Sequence, residues 1–301
     1  MLTSRFLSRL RAALASLALV ALAGTPALAQ SRTPQRSQQR LLKVFISVDM
    51  EGLAGVVSGS DVGGTTGDYQ YFRKLMAQEA SAAVAGAWSA GATEVVVRDS
   101  HGAKQNILPG DLDPRAKLLR GASTGPKNMM EGIDSTFSAV VFIGYHARAG
   151  TPNAILAHTS NGNVVDFSIN GRSLPEGGYN ALVAGLYGVP VVFVAGDGAV
   201  VRQLRELLGN VDGVAVKEAI GGAINGMSPA AAHEAIRLGV ERAVRARAGY
   251  RPYALTAPYA MVLKVAKDGK TFDGASSSAK GEYTFTSPDL LAVLSAFNAL
   301  K

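Results

Sequence analysis

Four short apolar runs constrain the fold more than any other feature of the chain. Val44–Val48, Glu94–Val97, Ala139–Ile143 and Val189–Ala195 are rich in β-branched residues and show no in–out alternation. Strands covered on both faces read this way, because neither side meets water. Between them lie helix candidates: the alanine-rich Tyr69–Ala90 ending at Gly91, then Tyr179–Tyr187, then a third after Asp197. Short strands alternating with helices predict a largely parallel α/β sheet. The last third differs. Ser228 as N-cap and Pro229 at the first helical position open a helix through about Ala248. Tyr253–Ala266 reads as two strands broken near Pro258, and Ser287-Pro288-Asp289 starts a closing helix to about Leu300. The expected architecture is α/β, a mostly parallel sheet flanked by helices, with a smaller C-terminal α+β subdomain.

The N-terminus reads as an export signal. Arg5, Arg9 and Arg11 precede an apolar stretch from Ala12 to Gly24, and Ala27-Leu28-Ala29 supplies a small-x-small cleavage pattern. The stretch is too short to serve as a stable membrane span, and adjacent twin arginines are missing. A cleavable Sec-type signal peptide over 1–29 and a periplasmic or secreted location are expected. A polar, Pro-containing disordered linker over 30–41 follows, then an α/β catalytic domain over 42–225 and the subdomain over 226–301. The formal charge of +7 is mostly leader: the first forty residues hold six arginines and no acid, leaving 24 basic against 23 acidic residues. That balance offers no case for nucleic acid. With no cysteine in the chain, disulfides are excluded, and any metal must be held by nitrogen and oxygen.

Candidate chemistry gathers at strand ends. Val44–Val48 runs into Asp49-Met50-Glu51-Gly52, and side chains two apart on an extended chain point the same way. Val95–Val97 leads through Asp99 to His101, Val140–Ile143 leads to His146, and His158 ends the run Ala154–Ala157. In open α/β sheets, ligands bind beyond the carboxyl ends of the strands. Parallel strands would thus bring Asp49, Glu51, His101 and His146 to one rim. Carboxylates with imidazoles suit zinc, manganese or a related divalent ion. Two ions bridged by one carboxylate need about five protein ligands, and Glu176, ahead of a helix, is the natural fifth. Asp99 can equally be a turn-former or a residue that orients His101. His233 lies within a helical stretch and reads as structural.

Several motifs recur together: S-V-D-M-E-G at 47–52, D-S-H at 99–101, G-Y-H-A-R at 144–148, the T-P…H run ending at His158, E-G-G-Y-N-A-L-V-A-G at 176–185 and V-A-G-D at 194–197. From about residue 43 onward the chain closely resembles the DppA-type zinc D-aminopeptidases of bacterial dipeptide transport operons. The resemblance implies two Zn2+ per subunit, with Asp49 bridging, Glu51 and Glu176 completing one ion, and His101 and His146 binding the other. It makes His158 the catalytic residue, short peptides with N-terminal D-residues the substrates, and a ring-stacked homodecamer the assembly. The chain departs from the family pattern at Arg98, at Gly221-Gly222, in one extra residue between His146 and His158, and in its leader.

Metal-assisted amide hydrolysis is the expected activity, with water activated by the ions and His158 passing a proton or stabilising the oxyanion. The alternatives are another dinuclear-metal amidase and an exported peptide-binding protein serving a transporter.

Overall fold

A computed structural model describes residues 41–301. The expected signal peptide and all but the last residue of the expected linker lie outside the described residues. In chain order the elements are β1 (Lys43–Val48), α1 (Gly59–Val62), α2 (Gly67–Ser89), β2 (Glu94–Asp99), β3 (Lys117–Leu119), β4 (Ala139–Tyr145), β5 (Val164–Ile169) and β6 (Arg172–Ser173). They continue with α3 (Glu176–Leu186), β7 (Val191–Asp197), α4 (Gly198–Leu208), β8 (Asp212–Ile220), β9 (Ala223–Gly226) and α5 (Pro229–Arg245). β10 (Tyr259–Val265), β11 (Ser276–Ala279), β12 (Glu282–Ser287) and α6 (Leu290–Leu300) complete the fold.

The four apolar runs are β1, β2, β4 and β7, and they lie side by side in a seven-stranded sheet of order β3-β2-β1-β4-β7-β8-β9. All its pairings are parallel except β8–β9. Both faces are covered, which explains the missing alternation. Val44, Ile46 and Val141 pack with residues of α2 and α5, while Phe45, Val140 and Phe142 join the core shared with α3, α6 and the second sheet. The helix signals correspond to α2, α3, α4 and α5. Ser228 caps α5 by accepting from the Ala231 amide.

The second sheet, of order β11-β12-β10-β5-β6, is antiparallel. It draws strands from both sides of the expected 225/226 boundary, and α5 packs on the parallel sheet beside α2. Phe167 of β5 stacks on Phe297 of α6 with ring centroids 4.0 Å apart, so residues from either side of that boundary share one core. The expected strand pair over Tyr253–Ala266 is a single strand, β10, because residues 253–258 pair with no strand.

Topology positions the site. From β1 the chain steps outward to β2 and β3, then returns to the opposite side of β1 with β4, β7 and β8. The crevice at such a reversal, beyond the carboxyl ends of the strands, is where open α/β sheets bind ligands.

Candidate metal centre

Asp49 and Glu51 leave β1 at that crevice, held from both sides. The Asp49 amide donates to Ile143 O at 2.8 Å, the Gly52 amide to Gly144 O at 2.8 Å, and the Ser100 amide to Val48 O at 2.8 Å. A Cβ at Gly52 would sit 1.8 Å from Tyr145 O, so only glycine lets this loop cross the end of β4. Gly144 has φ +70 and the same closeness, its added Cβ falling 2.1 Å from Asp49 O. Beneath the loop, Ser47 Oγ lies 2.7 Å from both Ser100 Oγ and Tyr145 OH, a buried polar network that fixes the three strand ends.

Each of the three imidazoles has one nitrogen committed to the backbone. His101 Nε2–H donates to Val62 O at 2.7 Å, His146 Nδ1–H to Ala147 O at 3.1 Å, and His158 Nδ1–H to Leu156 O at 2.8 Å. A carbonyl only accepts, so these bonds fix the tautomers. The other nitrogen of each ring faces carboxylates. His101 Nδ1 is 3.1 Å from both Asp49 Oδ1 and Glu51 Oε2. His146 Nε2 is 3.5 Å from Asp49 Oδ2 and 3.6 Å from Glu176 Oε1, and being fully buried it has no well-formed hydrogen bond. His158 Nε2 is 3.8 Å from Glu51 Oε1 and 3.6 Å from Glu176 Oε1. The His146 and His158 rings stack, with centroids 4.2 Å apart.

Lone pairs aimed at carboxylate oxygens require a cation between them, either protons or metal ions. Burial opposes protonation of His101, but hydrogen bonds and charge attraction from Asp49 and Glu51 outweigh it and lift its pKa to about 11. His146 is likewise raised well above the ordinary range against its burial, by Asp49 and Glu176. Burial would raise Glu51 and Glu176, yet the histidines hold both carboxyls below their usual range. A buried pocket that binds protons this strongly is a pocket short of positive charge. The donor set, with its outward N–H groups anchored on carbonyls, is that of metal-ligating imidazoles.

All six sequence-predicted residues converge. The groups within mutual ligand reach are Asp49–Glu51–His101, Asp49–His146–Glu176 and Glu51–His146–His158. His101 shares no such group with His146, nor Glu51 with Glu176, whereas the family resemblance puts each pair on one ion. β2 and β4 flank β1 on opposite sides, so their histidines approach Asp49 from opposite sides, one at each carboxylate oxygen.

Supporting residues lay largely outside the sequence reading. Asp99 accepts from Asn106 Nδ2 at 2.9 Å and the Ile107 amide at 2.8 Å, closing the loop that carries His101. Asp197 caps α4 through the Val200 amide and accepts from the Ala147 amide at 3.0 Å, fixing the turn after His146. The aspartate at a strand-to-helix junction was the available signal. Arg98 is buried, with Nε and Nη2 lacking partners. Gly221-Gly222 forms the exposed β8–β9 turn, where φ is +60 at Gly221. His233 sits on α5, outside the site. The cavity over the centre holds about 280 Å3, and its lining includes His101, Lys104, His158, Ser160 and Lys301.

An open α/β sheet with three imidazoles and three carboxylates at its switch point defines a metal-dependent enzyme with nitrogen and oxygen ligands. The chain belongs to the D-aminopeptidases of peptidase family M55, whose family model it matches over residues 42–299. A D-aminopeptidase of Bacillus subtilis (strain 168) is 42% identical over 192 residues, covering 64% of this chain and 69% of the relative. A solved structure, the Zn-dependent D-aminopeptidase DppA from Bacillus subtilis, described as a self-compartmentalizing protease, superposes with a TM-score of 0.82. It is 33% identical, and the match covers 85% of this chain and 96% of that one.

Proposed function

We propose that the chain is a zinc-dependent aminopeptidase that removes N-terminal D-residues from short peptides. The observation that carries this reading is the orientation of the imidazoles: each donates one N–H to the backbone and turns its other nitrogen onto the carboxylate cluster. Asp49, Glu51 and His101 would hold one ion, and Asp49, His146 and Glu176 the other, with Asp49 common to both. Bound zinc supplies a Lewis acid for the peptide carbonyl and lowers the pKa of water toward neutrality. His158 has the most exposed of the three rings, 26% against 14% for His101 and 0% for His146. With Nδ1–H held by Leu156 O, its Nε2, on the carboxylate side of the ring, would take a proton and return it to the leaving amine. The buried wall of Glu51, Glu176 and His146 excludes bulk water from one side.

Zinc analysis beside assays on D-alanyl and L-alanyl dipeptides tests the reading, repeated on Glu51→Ala and His146→Ala. Zinc-dependent cleavage of the D-peptide, lost in both variants, is expected. Equal rates on both enantiomers, or turnover that survives chelation, would remove it.

Two further features belong to the same reading. A ring-stacked homodecamer would shelter the sites, supported by the self-compartmentalizing relative, and sedimentation velocity would show a species near ten protomers. Export to the periplasm or medium is supported by the N-terminal arginines, apolar stretch and Ala27-Leu28-Ala29. An N-terminus at Gln30 in protein recovered outside the cytoplasm would establish it. Among the described residues no helix is long and apolar enough to cross a membrane.

A further inference from the structure

Two lysines line the cavity over the carboxylate–imidazole cluster, and neither forms an ion pair among the described residues. Lys104 Nζ reaches only the backbone, at Gly102 O, 3.2 Å away. Lys301 Nζ donates to Ser160 Oγ at 2.5 Å and Asn298 Oδ1 at 2.8 Å, both neutral acceptors, and lies 5.1 Å from the centre of the Phe297 ring. Both side chains line the same cavity. Burial pushes Lys301 down to about 8, with Lys104 and Lys270 adding to the shift and Glu176 opposing it. Two partly desolvated ammonium groups lining one cavity, neither of them ion-paired, are costly unless a ligand supplies the partner.

The backbone is shaped to hold this wall. Among the described residues the non-glycine positions with positive φ include Lys104 at +60, Asn128 at +46 and Ser160 at +68, and all three line the cavity. Strain of this kind clusters at ligand sites. Ser160 ties the wall to the centre, since its amide donates to Glu176 Oε1 at 2.7 Å while its hydroxyl accepts from Lys301. A cavity of about 280 Å3 falls near the small end for ligand pockets. That is room for a short peptide and no more.

We propose that Lys104 and Lys301 form the subsite for the free C-terminal carboxylate of a di- or tripeptide, making this an enzyme for very short, unblocked peptides. The inference rests on the peptidase reading for the orientation of its ligand. It explains why the cations are kept apart from Asp49, Glu51 and Glu176, which the imidazoles already engage.

The test is calorimetric binding to the zinc-loaded protein of a non-hydrolysable D-alanyl-D-alanine analogue whose peptide bond is a methyleneamine, as the free acid and as the carboxamide. The wild-type protein is expected to bind the acid at least tenfold more tightly, as charge-assisted hydrogen bonds allow. In Lys104→Met and Lys301→Met that preference should shrink toward unity. Equal binding of acid and amide by the wild-type protein overturns the subsite, whatever the variants do. Turnover of D-alanyl-D-alanine itself is read separately. Acid preference without turnover keeps the subsite and removes the peptidase reading; turnover without acid preference does the reverse.

Discussion

Lys217 drives its ammonium beneath the ligand loop, where Nζ donates to the Glu51 carbonyl at 2.5 Å and to the Val56 carbonyl at 2.6 Å. The residue is 1% exposed, so β8, two strands removed from β4 in the sheet, governs the backbone that presents Glu51. Replacing Lys217 by Met would leave both buried carbonyls without a donor, at a cost of about 2–4 kcal/mol. Urea denaturation should show that loss, and competition with a chromophoric chelator should show weaker zinc retention. Unchanged zinc affinity would separate Lys217 from the centre.

Glu79 makes the matching contact from α2, accepting from the Ala54 amide at 2.9 Å through Oε1 while Oε2 has no partner. Burial raises its pKa from the usual carboxylate range to about 7, against the opposing pull of the Ala54 amide and Lys217. Between about pH 4.5 and 7 the folded state therefore binds more protons than the unfolded one at this group. Stability falls with rising pH across that window. Glu79→Gln keeps the acceptor and removes the charge. It should be more stable than wild type at pH 8 by about 1–3 kcal/mol, the difference vanishing near pH 4.5. Denaturation curves at both pH values check the sign.

His158 is held by Leu156 O at Nδ1 and by its stack on His146. His158→Gln should lower kcat about 10²–10⁴-fold, the usual range for a lost proton carrier, while zinc content stays at the wild-type level. Loss of zinc in this variant would make His158 a ligand first.

Asp197 joins the end of β7 to the turn after His146 through the Ala147 amide. Asp197→Ala removes an N-cap and that bond together, costing about 1–3 kcal/mol. Circular-dichroism melting would show it, with a rise in KM or zinc loss reporting displacement of His146.

Four of the parallel strands, β1, β2, β4 and β7, were legible because a strand covered on both faces has few polar positions to disguise it. Val44–Val48, polar only at Ser47, and Val140–Ile143 show this, while β3 and β8 were not legible. β5 and β12 were equally unread, since polar residues interrupt both, in Val-Val-Asp-Phe-Ser-Ile and Glu-Tyr-Thr-Phe-Thr-Ser, and β12 leaves most of its side chains partly exposed. Asp49, Glu51, His101 and His146 were legible from their place after strands and Glu176 from its place ahead of a helix, whereas His158 follows no strand and was singled out by the family resemblance. Lys217, Glu79 and Lys301 carry side chains ordinarily assigned to solvent, and only the tertiary fold brings them to the centre. That His101 and His146 approach Asp49 from opposite sides follows from β2 and β4 flanking β1, which no spacing reveals.

The central claim is that Asp49 is shared between two ligand groups, one with His101 and one with His146. Zinc stoichiometry by mass spectrometry on His101→Ala, His146→Ala and Asp49→Ala tests it most directly. Two ions are expected in the wild-type chain, about one in each histidine variant, and fewer than one in Asp49→Ala. Two ions retained by Asp49→Ala, or none in either histidine variant, would contradict the shared carboxylate.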